Sequence, residues 1–291
     1  MSKLAIVTGA NSGIGFETTK VLVSKNIKVI MACRNMQKAQ TAKNEILTIH
    51  PNADLEIIAL DLSDFDSIRT FAKEFSRNYS QLDLLINNAG IMTHKTSHNE
   101  NGIESNFGTN YLGHFLLTNL LFPIISTTDL SRIVSLSSIA HKSTNKIPLN
   151  TKDLKKLKGF NAYSQSKLAC LIFSYELQKR LASTNSSTIS VCAHPGVSIT
   201  NIGQGLPNLV LNLQDKFGLI LFSNQADGAK PTTYAALNEN VQGGDYYGPD
   251  GFREFKGEVK KVDSTKVSKN KEIAQSLWAF SEELTGSRFV V

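Results

Sequence analysis

The segment FNAYSQSKLAC, residues 160–170, places a tyrosine and a lysine four residues apart within a pattern typical of an amphipathic helix. Four residues make about one helical turn, so the side chains of Tyr163 and Lys167 lie on the same helix face, with Cβ atoms roughly 5–6 Å apart. A free phenol has a pKa of about 10, too high for an efficient base at neutral pH, and a neighbouring ammonium favours its ionised form. The two residues could form an acid–base pair, or they could be ordinary helix residues.

A glycine-rich loop follows the first apolar run of the chain. Leu4–Thr8 predicts a strand, and TGANSGIG at Thr8–Gly15 leads from it into a helical pattern. In a βαβ unit this turn brings backbone N–H groups and the positive end of a helix to the place where a pyrophosphate binds. The glycines do not follow the G-x-G-x-x-G spacing, so the loop could be a tight turn only, but its position after the first strand favours dinucleotide binding.

The remaining apolar runs predict the fold that would position these residues. The predicted strands are Leu4–Thr8, Lys28–Ala32, Leu55–Leu60, Leu82–Asn87, Arg132–Ser137 and Ile189–Ala193. The first predicted helix follows the glycine-rich loop and ends near Ser24. The others cover residues 36–49, 67–79, 102–121 and 160–183. Apolar strands that alternate with helices indicate a parallel sheet covered on both faces. We therefore predict one doubly wound, Rossmann-type α/β domain over residues 1–291, with about seven strands.

The composition of the 291-residue chain limits the classes of function. Its net charge of +6 is spread along the sequence, which permits attraction to phosphate groups but does not establish nucleic-acid binding. Cys33, Cys170 and Cys192 are few and far apart, so we predict no disulfide framework or zinc site and expect a reducing, cytoplasmic compartment. No apolar run reaches the ~20 residues that span a bilayer. MSKLAIVTGA leads directly into a strand pattern, so we expect no secretory signal.

Several histidines are interpreted as structural or loop residues and not as metal ligands. His94 and His98 have the spacing of metal ligands on a helix, but they lie in a polar loop with no evident third ligand, so we predict no metal site. His114 is interpreted as a structural residue and His141 as a loop residue. The lysines of residues 256–271 are interpreted as a solvated face.

Six motifs occur in the order seen in the short-chain dehydrogenase/reductase family. They are TGANSGIG, NNAG at Asn87–Gly90, Asn110 in NYLGHF, Ser138 in RIVSLSS, Tyr163-x-x-x-Lys167 and HPGVSIT at His194–Thr200. The sequence resembles this family over essentially its whole length. NYLGHFLLTNLL, LSSIAHK and YSQSKLACLIF are most similar to the retinol-dehydrogenase and carbonyl-reductase branch. The resemblance implies an NAD(P)-dependent oxidoreductase that acts on an alcohol or a carbonyl compound.

The resemblance also implies a role for each catalytic residue. Tyr163 would be the acid–base residue, and Lys167 would tune it and hydrogen-bond the nicotinamide ribose. Ser138 would hold the substrate oxygen, and Asn110 would anchor a water that continues the proton relay from Lys167. Ser137 competes for the serine role, but the second serine of such a strand-end pair is the catalytic one in the family.

The cofactor would lie across the loops that follow the strands. Its predicted contacts are Gly9, Asn11, Ser12, Gly13, Ile14, Gly15, Arg34, Asn35, Asp61, Leu62, Asn88, Ala89, Gly90, Tyr163, Lys167, Pro195, Gly196, Val197 and Thr200. The resemblance places Asp61 beside the adenine, although this residue could instead cap the following helix. It places Asn88 and Gly90 in the floor of the site and Thr200 at the carboxamide.

The end of the second strand predicts the choice of cofactor. An acidic residue there would bind the adenine ribose hydroxyls of NAD, but KVIMACRNMQK contains none. A guanidinium at this place suits a 2′-phosphate. We therefore predict NADP(H) in preference to NAD(H), although Arg34 could also be a solvated loop residue.

An apolar segment after HPGVSIT predicts where the substrate lies. LPNLVLNLQDKFGLILF, residues 206–222, is too short to span a bilayer and is interpreted as a substrate lid within residues 203–224. A membrane-surface helix or a permanent part of the core are the alternatives. A lid of this kind predicts a small hydrophobic aldehyde, ketone or alcohol as substrate. A catalytically silent NADPH-binding regulator and a membrane-associated scaffold remain as other classes of function, and a homo-oligomer is left open.

Overall fold

The computed structural model describes residues 3–93, 95–99, 101–197 and 224–291. Within these ranges the strands are β1 Leu4–Thr8, β2 Lys28–Cys33, β3 Leu55–Ala59, β4 Leu84–Asn87, β5 Arg132–Leu136, β6 Ile189–Ala193, β7 Tyr246–Pro249 and β8 Val259–Lys261. The α-helices are α1 Gly13–Ser24, α2 Met36–Ile49, α3 Phe65–Asn78, α4 Ser105–Phe107, α5 Gly113–Ile125, α6 Thr151–Leu154, α7 Gly159–Ser183, α8 Gln225–Leu237 and α9 Lys271–Thr285.

The described strands form one sheet in the order β3-β2-β1-β4-β5-β6-β7-β8. All neighbours are parallel except β7 and β8, which are antiparallel. The predicted doubly wound fold is confirmed, and the chain order reverses between β1 and β4, where an open α/β sheet binds its ligands. The described sheet has eight strands where about seven were predicted. The six strands named from the sequence do not include β7, which reads YYGP, or β8, which reads VKK and has no apolar run.

Both faces of the sheet are covered by helices, which explains why its strands are continuously apolar. All five residues of β1 are buried, and they alternate between two cores. Leu4 and Ile6 pack with residues of α3, α5, α7 and α9, whereas Ala5 and Val7 pack with residues of α1, α2 and α8. A strand that is buried on both faces has no polar alternation, as the sequence indicated.

The prediction of one continuous helix over residues 102–121 is wrong. The chain forms α4, then a π-helical segment at Gly108–Leu112, and then α5, which extends to Ile125. Close packing of Gly113 accompanies the irregularity, because a Cβ on that residue would lie 2.4 Å from the carbonyl oxygen of Leu62. π-Helical turns occur frequently at functional sites, and this one contains Asn110.

Cys33, Cys170 and Cys192 are buried free thiols. No described helix combines the length and the apolar character that crossing a bilayer requires. No group of three or more potential metal ligands occurs among the described residues, which exclude His94.

Candidate active site

A cleft of about 1160 Å³ lies at the carboxyl ends of the strands, around the point where the chain order reverses. Its walls contain every predicted cofactor contact within the described residues, together with Ser138, Tyr163 and Lys167. Three predicted parts of the site are not found in the described wall of the cleft. Asn110 is fully buried and lies behind the wall. Thr200 lies outside the described residues, as does the proposed lid apart from its last residue, Asn224.

The glycine loop forms a narrow turn that suits an anionic ligand. Gly9 and Gly13 have φ angles of 66° and 57°, in the left-handed region that glycine adopts without strain. A Cβ on Gly15 would lie 2.4 Å from the carbonyl oxygen of Gly9, so the loop requires glycine there. Ser12, the N-cap of α1, makes no side-chain capping bond. The amide groups at the start of α1 are therefore available to a phosphate, and this end of the cleft fits a dinucleotide.

The floor of the cleft is held by a buried polar network. The hydroxyl of Thr8 accepts hydrogen bonds from the backbone amides of Asn88 and Ala89, each at 2.9 Å. His114 Nε2 lies 2.9 Å from the same hydroxyl, and Nδ1 donates to the carbonyl oxygen of Asn110 at 2.9 Å. Burial lowers the pKa of His114 to about 4. The imidazole is therefore neutral at pH 7, and His114 connects the floor to the π-helical segment, consistent with a structural role.

The end of the cleft beside β2 contains two cationic side chains. Arg34 Nη1 lies 3.7 Å from Asp61 Oδ2, and the side chain of Arg34 is 72% exposed. Lys38, which the sequence analysis did not include, lines the same end. It lies in the first turn of α2, and its backbone amide donates to the side chain of the N-cap Asn35, so the capping residue after Arg34 could have identified it.

The alternative role considered for Asp61 is wrong. The N-cap of α3 is Asp64, whose side chain accepts from the amide of Asp66. Asp61 Oδ1 instead accepts hydrogen bonds from the amide and the hydroxyl of Ser63, at 2.9 and 2.6 Å. Asp61 thereby stays in the cleft wall beside Arg34.

Tyr163 and Lys167 project from the second and third turns of α7 into the wall of the cleft. Tyr163 is 7% exposed and Lys167 is 4% exposed. Lys167 Nζ donates to the carbonyl oxygen of Leu136, the last residue of β5, at 3.0 Å. Gly90 allows the ammonium to approach the floor, because a Cβ there would lie 3.3 Å from Nζ. The end of β5 and the loop after β4 together fix the position of the lysine.

The two candidate serines differ in what their hydroxyl groups bind. Ser137 is buried, and its Oγ donates to the carbonyl oxygen of Lys167 at 2.8 Å. Ser138 Oγ accepts from the amide of Ala140 at 3.2 Å, which leaves its proton available to another acceptor. Both residues line the cleft, and the free donor favours Ser138 for contact with a substrate oxygen.

Asn110 uses its side chain to position the neighbouring loop. Oδ1 accepts from the amide of Ile91 at 2.8 Å, and Nδ2 donates to the carbonyl oxygen of Ile91 at 2.9 Å and to Ser166 Oγ at 3.0 Å. A Cβ on Gly90 would lie 3.3 Å from both Asn110 Oδ1 and Lys167 Nζ. The amide of Asn110 and the ammonium of Lys167 therefore both lie close to the same small residue.

The opposite wall contains residues that the sequence analysis did not assign to the site. Lys142, Arg253, Glu254 and Phe255 line this wall, and the last three come from the loop between β7 and β8. The sequence of this loop, GPDGFREFKG, is rich in glycine but matches none of the motifs considered above. The loop sequence therefore does not indicate that Arg253, Glu254 and Phe255 line the cleft.

His141 lies behind this wall, in the segment that joins β5 to α6. It is fully buried within the 3₁₀ turn Ile139–Ser143, and its Nδ1 donates to the carbonyl oxygen of Ser138 at 2.7 Å. Burial lowers the pKa of His141 to about 4, so the ring is neutral at pH 7. A turn of five residues is too short to show a periodic apolar pattern, which is why the burial of His141 was not predicted.

A doubly wound sheet with a glycine-rich loop before the first helix, at its switch point, is the architecture of dinucleotide-binding α/β proteins. Residues 3–208 match the family model described as short chain dehydrogenase. The chain is 38% identical to mouse retinol dehydrogenase 13, over 98% of this chain and 84% of that protein. It is 37% identical to mouse retinol dehydrogenase 12, over 98% of this chain and 86% of that protein. The chain belongs to the short-chain dehydrogenase/reductase family.

The solved structures agree with this assignment. An uncharacterised protein from Mycobacterium paratuberculosis has a TM-score of 0.80 and 36% sequence identity, and the match covers 99% of this chain and 95% of that chain. The protein is thus an oxidoreductase of a family that uses nicotinamide cofactors, and it is similar to retinol dehydrogenases.

Proposed function

We propose that the protein is an NADP(H)-dependent oxidoreductase that interconverts a hydrophobic aldehyde or ketone and its alcohol. The observation that carries this proposal is the convergence of Ser138, Tyr163 and Lys167 on one cleft whose other end is the glycine loop. The hydrophobic substrate class rests on the similarity to retinol dehydrogenases and on apolar side chains in the cleft, among them Met92, Ile139 and Phe160. With all three catalytic side chains in the wall, a silent regulator is the weaker interpretation.

The residues of the cleft have separate roles in the proposed reaction. A bound nicotinamide supplies or accepts the hydride. Tyr163 gives a proton to the carbonyl oxygen during reduction and takes one from the alcohol during oxidation. The free hydroxyl proton of Ser138 donates to the same oxygen, which orients the substrate. The buried ammonium of Lys167 stabilises negative charge on the phenolic oxygen one turn away.

Asn110 completes the proposed proton path as a positioning residue. Its Oδ1 accepts one hydrogen bond, from Ile91, and a carbonyl oxygen has a second lone pair. A water shared between that lone pair and the ammonium of Lys167 would connect the interior of the site with the acid–base pair. The cytoplasmic location and the lid at residues 203–224 also belong to the proposal, and the free cysteines support a reducing compartment.

The experiment that tests the function is a turnover assay with a panel of carbonyl compounds. Purified protein is incubated with NADPH and with aliphatic, aromatic and isoprenoid aldehydes and ketones, and the loss of NADPH absorbance is followed. We expect turnover of apolar aldehydes, with a preference for bulky compounds over acetaldehyde. NADPH binding without turnover of any member of the panel would favour the silent regulator instead.

Arg34→Asp tests the preference for NADPH. The substitution places a carboxylate beside Asp61 where the 2′-phosphate is expected, so it should weaken NADPH and improve NADH relative to it. Because Arg34 is 72% exposed, we expect a loss of about 1–2 kcal/mol, or roughly 5- to 30-fold in the Kd of NADPH. Isothermal titration with both cofactors measures the change.

Arg77→Asp is the matched control for this substitution. It makes the same change of charge on an exposed arginine in the last turn of α3 that does not line the cleft. It should leave the ratio of the two dissociation constants unchanged. The 2′-phosphate assignment is wrong if the wild-type protein prefers NADH, or if both substitutions shift the ratio equally.

A further inference from the structure

The turn between β7 and β8 is held in an unfavourable backbone conformation. Arg253 and Glu254 have φ angles of 50° and 60°, so two consecutive residues with side chains lie in the left-handed region. Side chains disfavour this region, and residues remain there only where the surrounding structure holds them. Strain of this kind is concentrated at ligand-binding positions, and both residues line the cleft.

Glu254 fixes the turn against both segments that follow β5 and β6. Its Oε1 lies 2.6 Å from Lys142 Nζ, in the 3₁₀ turn after Ser138, and its Oε2 lies 3.1 Å from Nε2 of the buried His194. Burial alone would raise the pKa of Glu254, but Lys142 and His194 outweigh it and hold the pKa at about 2. The carboxylate is therefore ionised, and the ammonium of Lys142 is neutralised by it.

The backbone of the turn is fixed from the other side. The carbonyl oxygen of Phe255 accepts from the amide of Val197 at 2.9 Å. Gly196 permits this approach, because a Cβ there would lie 2.3 Å from the same oxygen. The turn is thereby attached to the segment that follows β6, at the end of the cleft near Ser138.

Among the described residues of this wall, no carboxylate forms an ion pair with Arg253. In the described parts of the chain, the ion pair at this end joins Glu254 to Lys142, and the contact of Glu254 with the buried His194 does not include Arg253 either. The guanidinium lies over the ring of Phe252 at 5.4 Å, and the residue lines the same cleft as Ser138 and Tyr163. A guanidinium presents paired donors in a plane, a geometry that matches a carboxylate.

We propose that Arg253 binds a carboxylate on the substrate, so that the preferred substrate is an apolar aldehyde or ketone that carries an acid group. This inference rests on the proposed function and narrows its substrate class. The apolar body would lie against side chains such as Ile139 and Phe160, and the reacting carbonyl would lie at Ser138 and Tyr163. Glu254 is then a positioning residue, which holds Arg253 in place and balances Lys142.

The test compares each acid with its own methyl ester. The probes are 4-formylbenzoate and 9-oxononanoate, each beside its methyl ester, with NADPH as reductant. Wild-type protein should favour each acid over its ester in kcat/KM. Arg253→Gln should lower kcat/KM for the acids by about tenfold, the lower end of the range for a charge-assisted hydrogen bond, and should change the esters by less than about twofold. The difference should shrink at about 1 M salt, where screening is strong.

Two controls separate the possible causes. Lys256→Gln removes an exposed cation of the same loop that does not line the cleft, and it should leave the acid-to-ester ratio unchanged. The Kd of NADPH should be equal in wild type and Arg253→Gln. Equal losses for acids and esters, or a weaker Kd for NADPH, would overturn the inference and assign Arg253 to structure or to the cofactor. Turnover of neutral aldehydes from the wider panel but of none of the four probes would overturn the inference alone, whereas no turnover of any carbonyl compound would reject the proposed function.

Discussion

Tyr163→Phe is expected to abolish most turnover while leaving NADPH binding nearly intact. The substitution removes the phenolic oxygen alone, and the ring can keep its place because Tyr163 is 7% exposed and contacts Phe160 with ring centroids 6.2 Å apart. General acid–base catalysis typically contributes about 10²–10⁴-fold. We therefore expect kcat to fall by that factor, measured with a reactive aldehyde at saturating NADPH, and the Kd of NADPH to change by less than about threefold.

Tyr175→Phe is the matched control for this prediction. Tyr175 lies three turns further along α7, its hydroxyl donates to Ser264 Oγ at 3.0 Å, and it does not line the active-site cleft. This substitution should keep wild-type turnover. If the Tyr163→Phe protein retains more than about a tenth of the wild-type kcat, the phenol is not the acid–base group, and the assignment of Tyr163 is wrong.

The fold was predictable because its strands are buried on both faces. A strand such as Ile189–Ala193 leaves an uninterrupted apolar run, and the structure has this strand with the predicted bounds. The irregular parts left weaker signals. The helix predicted over residues 102–121 is interrupted by a π-helical segment. Gly108 and Gly113 allow close packing there, and the carbonyl oxygen of Asn110 accepts from the side chains of His114 and Cys170.

The site was predictable where its residues are local in sequence. The glycine loop and NNAG each follow a strand directly, so a correct strand prediction also places them at the carboxyl edge of the sheet. The opposite wall joins Lys142 to Glu254, 112 residues away, through polar side chains that carry no periodic signal. Such contacts depend on how β7 and β8 close the sheet edge. Sequence patterns do not specify that geometry.

Gly15→Ala is expected to destroy most of the affinity for NADPH. A Cβ on Gly15 would lie 2.4 Å from the carbonyl oxygen of Gly9 and 2.5 Å from Asn88 Nδ2, and neither contact is tolerable. Asn88 Nδ2 donates to the carbonyl oxygen of Thr8 at 2.7 Å, so relief of the collision must move the glycine loop or break the floor of the cleft. Loss of two charge-assisted hydrogen bonds to phosphate corresponds to about 3–6 kcal/mol, so we expect at least a 100-fold weaker Kd.

Folding stability should fall as well, because the collision outweighs the gain in helix propensity. Alanine is favoured over glycine inside a helix by about 1 kcal/mol, whereas overpacking costs about 1–3 kcal/mol. Gly286→Ala separates the two effects, since Gly286 ends α9 with a φ of 58° and has no other atom within 4 Å of an added Cβ. In this control, the alanine side chain would be held in the left-handed region at a cost of about 1–2 kcal/mol, which should lower the melting temperature. The Kd of NADPH should stay unchanged. Equal loss of NADPH affinity in both variants would trace the effect to global destabilisation, and wild-type affinity in Gly15→Ala would remove the glycine loop from the cofactor site.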